Sequence, residues 1–87
     1  MKVFIVDTSN KKEFININKS DYIKDVKEKI KIKKGINTDI YLHVNGIILE
    51  DNNQVNDYDI EENNCIIYTG TFRGGKKYNN ISNVNFF

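Results

Sequence analysis

The sequence predicts an α+β domain in which a mixed sheet of four or five strands packs on one helix. Three observations predict it. Short β-branched or alternating runs recur at residues 1–6, 13–18, 40–44 and 65–69. A single stretch changes to helical period, with Ile23, Val26 and Ile30 at i, i+3 and i+7. An Asn45-Gly46 pair links two of the apolar runs in a tight-turn signature. One sheet wrapped over one helix is the simplest arrangement that buries all of these stripes.

Each element follows in order. Residues 1–6 read as a strand with Val3 and Ile5 on one face and Phe4 and Val6 on the other. The polar cluster 7–11 turns the chain, and residues 13–18 return with Ile15 and Ile17 sharing a face, which makes a hairpin. Ser20 or Asp21 is placed to accept from the free N–H groups of the helix's first turn, and Asp21 and Asp25 suit its positive end. Lys33 and Lys34 suit the other end, and Gly35 supplies the left-handed residue that stops the helix. Residues 40–44 form a strand, and Ile47-Ile48-Leu49 begins the return after the Asn-Gly turn. Residues 50–59 read as loop with one helical turn, anchored by Val55, Tyr58 and Ile60. Residues 65–69 close the sheet with Ile66 and Tyr68 facing in. Beyond Gly70 the apolar pattern stops; residues 76–87 are expected to be a flexible extension to a domain spanning 1–75.

Composition narrows the function. Eighty-seven residues with 39% hydrophobic and 29% charged side chains suit one domain with one core. Thirteen basic against twelve acidic groups leave +1, which gives no electrostatic reason to expect nucleic acid or an anionic membrane as partner. No run approaches the ~20 apolar residues of a membrane span, and the N-terminus turns polar too soon for a signal peptide, so a monomer of the cytoplasm or nucleus is expected. Cys65 as the sole cysteine excludes an internal disulfide, and with His43 as the sole histidine it cannot complete a closed zinc site. Those two side chains are also the only nucleophile–base pair of their kind. Without an orienting group or oxyanion pocket they do not make an enzyme, and Cys65 is expected to be inert packing. No phosphate loop or dinucleotide fingerprint occurs, so no cofactor is expected.

Several segments carry a resemblance. They are residues 1–5, Ser20-Asp21 with Ile23, Val26-Lys27 with Lys29-Ile30, Lys33 with Gly35-Ile36, Leu49-Glu50-Asp51, Asp57-Tyr58 with Ile60, and Arg73-Gly74-Gly75. In type and spacing the chain resembles the ubiquitin family over residues 1–75, with one residue missing near Asp39-Ile40. The resemblance implies the β-grasp fold. It further implies a protein modifier made as a precursor, cut by a protease between Gly75 and Lys76. The Gly75 carboxylate is then adenylated, carried as enzyme thioesters and joined to lysines of target proteins. Thr71, Phe72 and Arg73 would meet the activating enzyme. Glycine suits a tail threading a narrow cleft, because it lacks the Cβ that would clash. Two alternatives stand beside this reading: an adaptor domain that keeps its tail and uses Phe86-Phe87, and a sulfur carrier ending in a glycine thiocarboxylate.

The departures from the family pattern bear on partners. Its apolar recognition patch maps onto Thr8, His43 and Thr69, all more polar, so ordinary partners of the family should bind poorly. Tyr41, Ile47 and Ile67 are expected on the same face as His43, as a different patch. Ile47 and Glu62 replace two lysines used for chain building, whereas Lys11, Lys27, Lys29 and Lys33 match acceptor lysines. Thr71 stands where an arginine read by the activating enzyme is found.

Overall fold

The structure, a computed structural model, describes residues 1–70. Its elements are β1 (Lys2–Val6), β2 (Lys12–Asn16), α1 (Ile23–Lys34), β3 (Ile40–Val44), β4 (Ile47–Ile48), a 3₁₀ turn (Val55–Asp57) and β5 (Cys65–Gly70). The five strands form one sheet in the order β2-β1-β5-β3-β4. β1 and β5 run parallel, and every other neighbouring pair is antiparallel. The sheet thus has the larger of the two strand numbers the sequence allowed, and the mixed sheet on one helix is the β-grasp arrangement.

The first hairpin is organised by Asp7. Its Oδ1 accepts from the Ser9 N–H, the Ser9 hydroxyl and the Lys11 N–H at 2.9, 2.7 and 3.1 Å. These hydrogen bonds, the Ser9 hydroxyl first, hold the Asp7 carboxyl below its ordinary value. β2 ends at Asn16, earlier than the alternation suggests, yet Ile17 stays buried. There the Ile17 N–H donates to the Met1 carbonyl, and the Met1 ammonium donates to the Ile17 carbonyl, both at 2.9 Å.

The helix begins differently from the sequence expectation. Tyr22, not Ser20 or Asp21, occupies the cap position, and no side chain caps it. The Asp21 carboxylate turns back to accept from the Asn18 N–H at 2.9 Å. The first free amides are met instead by a distant loop: Ile23 N–H donates to the Asn53 carbonyl at 2.9 Å and Lys24 N–H to the Asp51 carbonyl at 3.2 Å. The same loop is fixed by Tyr58, whose hydroxyl accepts from the Glu50 N–H at 2.9 Å and from Asn53 Nδ2 at 3.0 Å. At the far end Gly35 adopts φ 67°, Ile36 N–H reaches the Lys31 carbonyl at 2.9 Å, and Gly35 N–H points to Ile32. This is the double-bonded glycine stop, with Ile36 packing on the core as it leaves.

The core lies between helix and sheet. Ile23, Val26 and Ile30 face Val3, Ile5, Leu42 and Ile66, all at 2% exposure or less. Full burial of such side chains stabilises by about 1.5–3 kcal/mol each before conformational entropy is counted. The loop after β4 contributes Leu49, Val55 and Ile60 to the same cluster. Outside it, helix and hairpin are tied by charge. Glu13 pairs with Lys34 and, at 3.9 Å, with Lys33, while Lys29 Nζ donates to the Asn16 carbonyl at 2.8 Å.

Tyr58→Phe should cost about 1 kcal/mol in denaturant unfolding and speed amide exchange at Ile23 and Lys24, because their acceptor loop loses its anchor. Exchange unchanged at those amides would show that the loop holds itself. The Lys34 hydrogen bond, and then its charge, holds the Glu13 carboxyl below its ordinary value. The pair therefore stabilises the fold above the unfolded carboxylate pKa, and that contribution is lost as pH falls through the lower native value. Between about pH 5 and pH 2 the melting temperature of Glu13→Gln should decline less steeply than that of the parent.

Candidate functional site

The strand register builds a continuous outer face. Val6 of β1 stands opposite Lys12 of β2 and Ile67 of β5, Ile67 opposite His43 of β3, and His43 opposite Ile48 of β4. Alternation puts the whole row on the side away from the helix, since Ile66 and Leu42 between them are buried. Thr69 stands opposite Tyr41 in the adjacent row. Within this face Tyr41, Ile48 and Ile67 are 48%, 54% and 42% exposed. His43 Nε2 lies 3.3 Å from Thr69 Oγ1, so the two polar replacements partner each other.

Four of the residues expected on this face are therefore brought together: Tyr41, His43, Ile67 and Thr69. Thr8 stands beyond the row, on the exposed turn after β1. Ile47 is a correction. It pairs with Val44, which is buried on the core side, so Ile47 belongs to the opposite side of the ribbon and Ile48 takes the place beside His43. The signal was present in the sequence. A two-residue Asn45-Gly46 turn, with both residues at positive φ (53° and 78°), makes its flanking residues direct partners and so fixes which isoleucine faces which way.

Phe14 is a second residue the sequence reading missed. It packs edge-on against Phe4 with ring centroids 6.5 Å apart, and Lys2 and Lys12 place their ammonium groups 5.1 and 5.3 Å from the Phe14 and Phe4 ring centroids. This aromatic corner extends the outer face across the hairpin.

The candidate acceptor lysines differ in environment. Lys27 is 15% exposed at its side chain, sits 2.6 Å from Asp51 and lies 5.9 Å from the Tyr41 ring centroid. Lys29 is exposed but donates to Asn16, and Lys33 is 42% exposed beside Glu13. Lys11 stands on the exposed turn between β1 and β2. A lysine that attacks a thioester must lose its proton and reach outward, so Lys27 is the worst placed of the four.

Cys65 is not packing, contrary to expectation: it is exposed on the outer face, opposite Phe4. It lies one step from His43 on the diagonal, but the His43 ring points to Thr69, on the other side of Ile67. That arrangement aims the imidazole away from the thiol. Among the described residues no group of three or more His, Cys, Asp and Glu side chains could hold a metal ion, and no helix is long and apolar enough to cross a membrane. Thr71, Phe72, Arg73, Gly74, Gly75 and Lys76, together with the extension 76–87 and its Phe86-Phe87 end, lie outside the described residues.

The comparison with known families is consistent with this geometry. A family model described as the Ubiquitin family matches residues 3–72. No curated protein matches the chain.

If the outer face is surface rather than hidden core, Ile48→Ser and Ile67→Ser should each shift unfolding free energy by less than about 0.5 kcal/mol. Gly46→Ala should cost about 1–2 kcal/mol, since a built Cβ meets nothing within 4 Å and only the positive φ penalises it. Denaturant titration measures all three, and a large loss at Ile48 would place that residue in a packed interior.

Proposed function

Because the chain belongs to the ubiquitin family, we propose that it is the precursor of a ubiquitin-like protein modifier. A protease hydrolyses the Gly75–Lys76 amide and frees the Gly75 carboxylate. On an activating enzyme that carboxylate attacks the α-phosphate of ATP, forming an acyl-adenylate as pyrophosphate leaves, and a cysteine thiolate of the enzyme then displaces AMP to form a thioester. A target lysine then attacks the thioester carbonyl, so that an isopeptide bond forms as the C–S bond breaks. The single observation that supports the reading is positional. β5, a central strand, runs to Gly70, the last described residue, and Arg73-Gly74-Gly75 follows within a few residues in the sequence.

The chain's departures shape the proposal. Thr71 removes a charge that the family's activating enzyme reads, so a dedicated activating enzyme is proposed, with Phe72 and Arg73 as its remaining contacts. Thr8, His43 and Thr69 replace apolar anchors, each typically worth about 1–4 kcal/mol at an interface centre. Partners that rely on those anchors should pass this domain by. Where chains are built, Lys11 and Lys33 are better placed than Lys27. Action in the cytoplasm or nucleus, as a monomer, is part of the same proposal.

The adaptor reading draws its support from the open face carrying Tyr41, Ile48 and Ile67. Intact mass of the N-terminally tagged full chain from its native cells separates the readings. The modifier predicts a species ending at Gly75 and heavier adducts that vanish in Gly75→Ala. Only full-length chain without adducts would make it an adaptor. A sulfur-for-oxygen mass increase at the glycine terminus would make it a sulfur carrier.

A further inference from the structure

The near-zero net charge conceals a partition. From Gly35 to Gly70 the chain carries seven carboxylates and not one lysine or arginine. The basic side chains lie before and after that span. Within it, on the core side of the β3–β4 ribbon, the structure has an open hollow of about 280 Å³ lined by Val44, Ile47, Leu49 and Tyr58, with Asp57 and Asp59 at its margin. We propose that this hollow is a docking site for a cationic segment of a partner protein, with one apolar side chain seated between lysines or arginines.

Three features carry the assignment. First, the hollow has a buried apolar floor and an exposed apolar wall: Val44 and Leu49 are 7% and 2% exposed, whereas Ile47, the cross-strand partner of Val44, is 57% exposed. An isoleucine left half in water beside a buried Leu49 offers an anchor point for an apolar side chain. Second, the margin is anionic: it carries Asp57 and Asp59, and among the described residues no salt bridge engages either of them. A cationic segment gains both attraction and steering there, whereas an acidic one would be repelled. Third, the walls are fixed before any partner arrives. Asp57 Oδ2 accepts from the Gln54 N–H at 2.7 Å, the Tyr58 hydroxyl is held by Glu50 and Asn53, and the turn is set by Asn45 and Gly46. A preformed site loses little freedom on binding. The inference stands whether or not Gly75 is ever conjugated.

The test is an NMR titration of the full 87-residue chain with a synthetic peptide in which one leucine is flanked on each side by two lysines. Resonances of residues 44–49 and 57–59 should move. Ile47→Ser and Asp59→Lys, both at exposed positions, should leave the melting temperature unchanged and weaken binding about fivefold and about tenfold. A peptide with serine for leucine should bind distinctly more weakly, and one with glutamates for lysines should move nothing. Equal binding of the serine peptide, or shifts spread evenly over all the acids of residues 50–62, would overturn the proposal in favour of unspecific charge attraction. So would a chain ending at Gly75 whose hollow resonances move without any peptide, because the occupant would then be residues 76–87 of the chain itself.

Discussion

The first and last strands of the described domain lie side by side, and the remaining architecture hangs from that pairing. Phe4, Ile5 and Val6 of β1 stand in parallel register with Cys65, Ile66 and Ile67 of β5. Parallel neighbours cannot be joined by a tight turn, so the chain between them must leave the sheet and return. It does so through the helix, which covers one face, and then through β3 and β4, which extend the far edge. Closing a loop of this length has a large entropic cost that grows only slowly with further residues. Ile5 and Ile66, at 1% exposure, sit where the paired central strands meet the helix.

The helix shows how a short element is stabilised without strong local signals. Its apolar stripe is only three residues wide, and no side chain caps its start. What fixes it is backbone from elsewhere: carbonyls of residues 51 and 53 at one end, and the glycine stop at the other. Conversely, Gln54 Nε2 donates to the Ser20 carbonyl, and Val55 and Asn56 amides donate to the Asp21 and Lys19 carbonyls. Loop and helix entry thus hold each other, which is why a segment with so little regular structure still contributes Val55 and Ile60 to the core.

Much of this was legible in the residues. The helical stripe, the Gly35 stop, the Asn45-Gly46 turn and the inward Ile66 and Tyr68 all follow from local chemistry and period, and each appears where expected. What escaped depended on distance in sequence. Asp21 looked like a cap because nothing local reveals that residues 51–53 supply the helix's acceptors. Cys65 looked like packing until its pairing with Phe4 showed the outer face. The exchange of Ile47 for Ile48 is the exception: the two-residue turn encoded it, and counting register from the turn recovers it. The functional reading rests on another kind of signal. Neither composition nor period distinguishes a modifier from an adaptor; the proposal of a modifier rests on the Gly74-Gly75 pair that follows the fold in the sequence.

Consider finally the lysines that bridge helix and hairpin. β2 is one border of the sheet, and its outward carbonyls are the natural template on which a foreign strand would grow. Lys29 occupies one of them at Asn16, and the Glu13 pairings with Lys33 and Lys34 lay charged side chains along the same border. The opposite border, β4, is only two residues long. Both borders of the described sheet thus carry devices that discourage edge-to-edge pairing, a charged, partly occupied strand at one and a very short strand at the other.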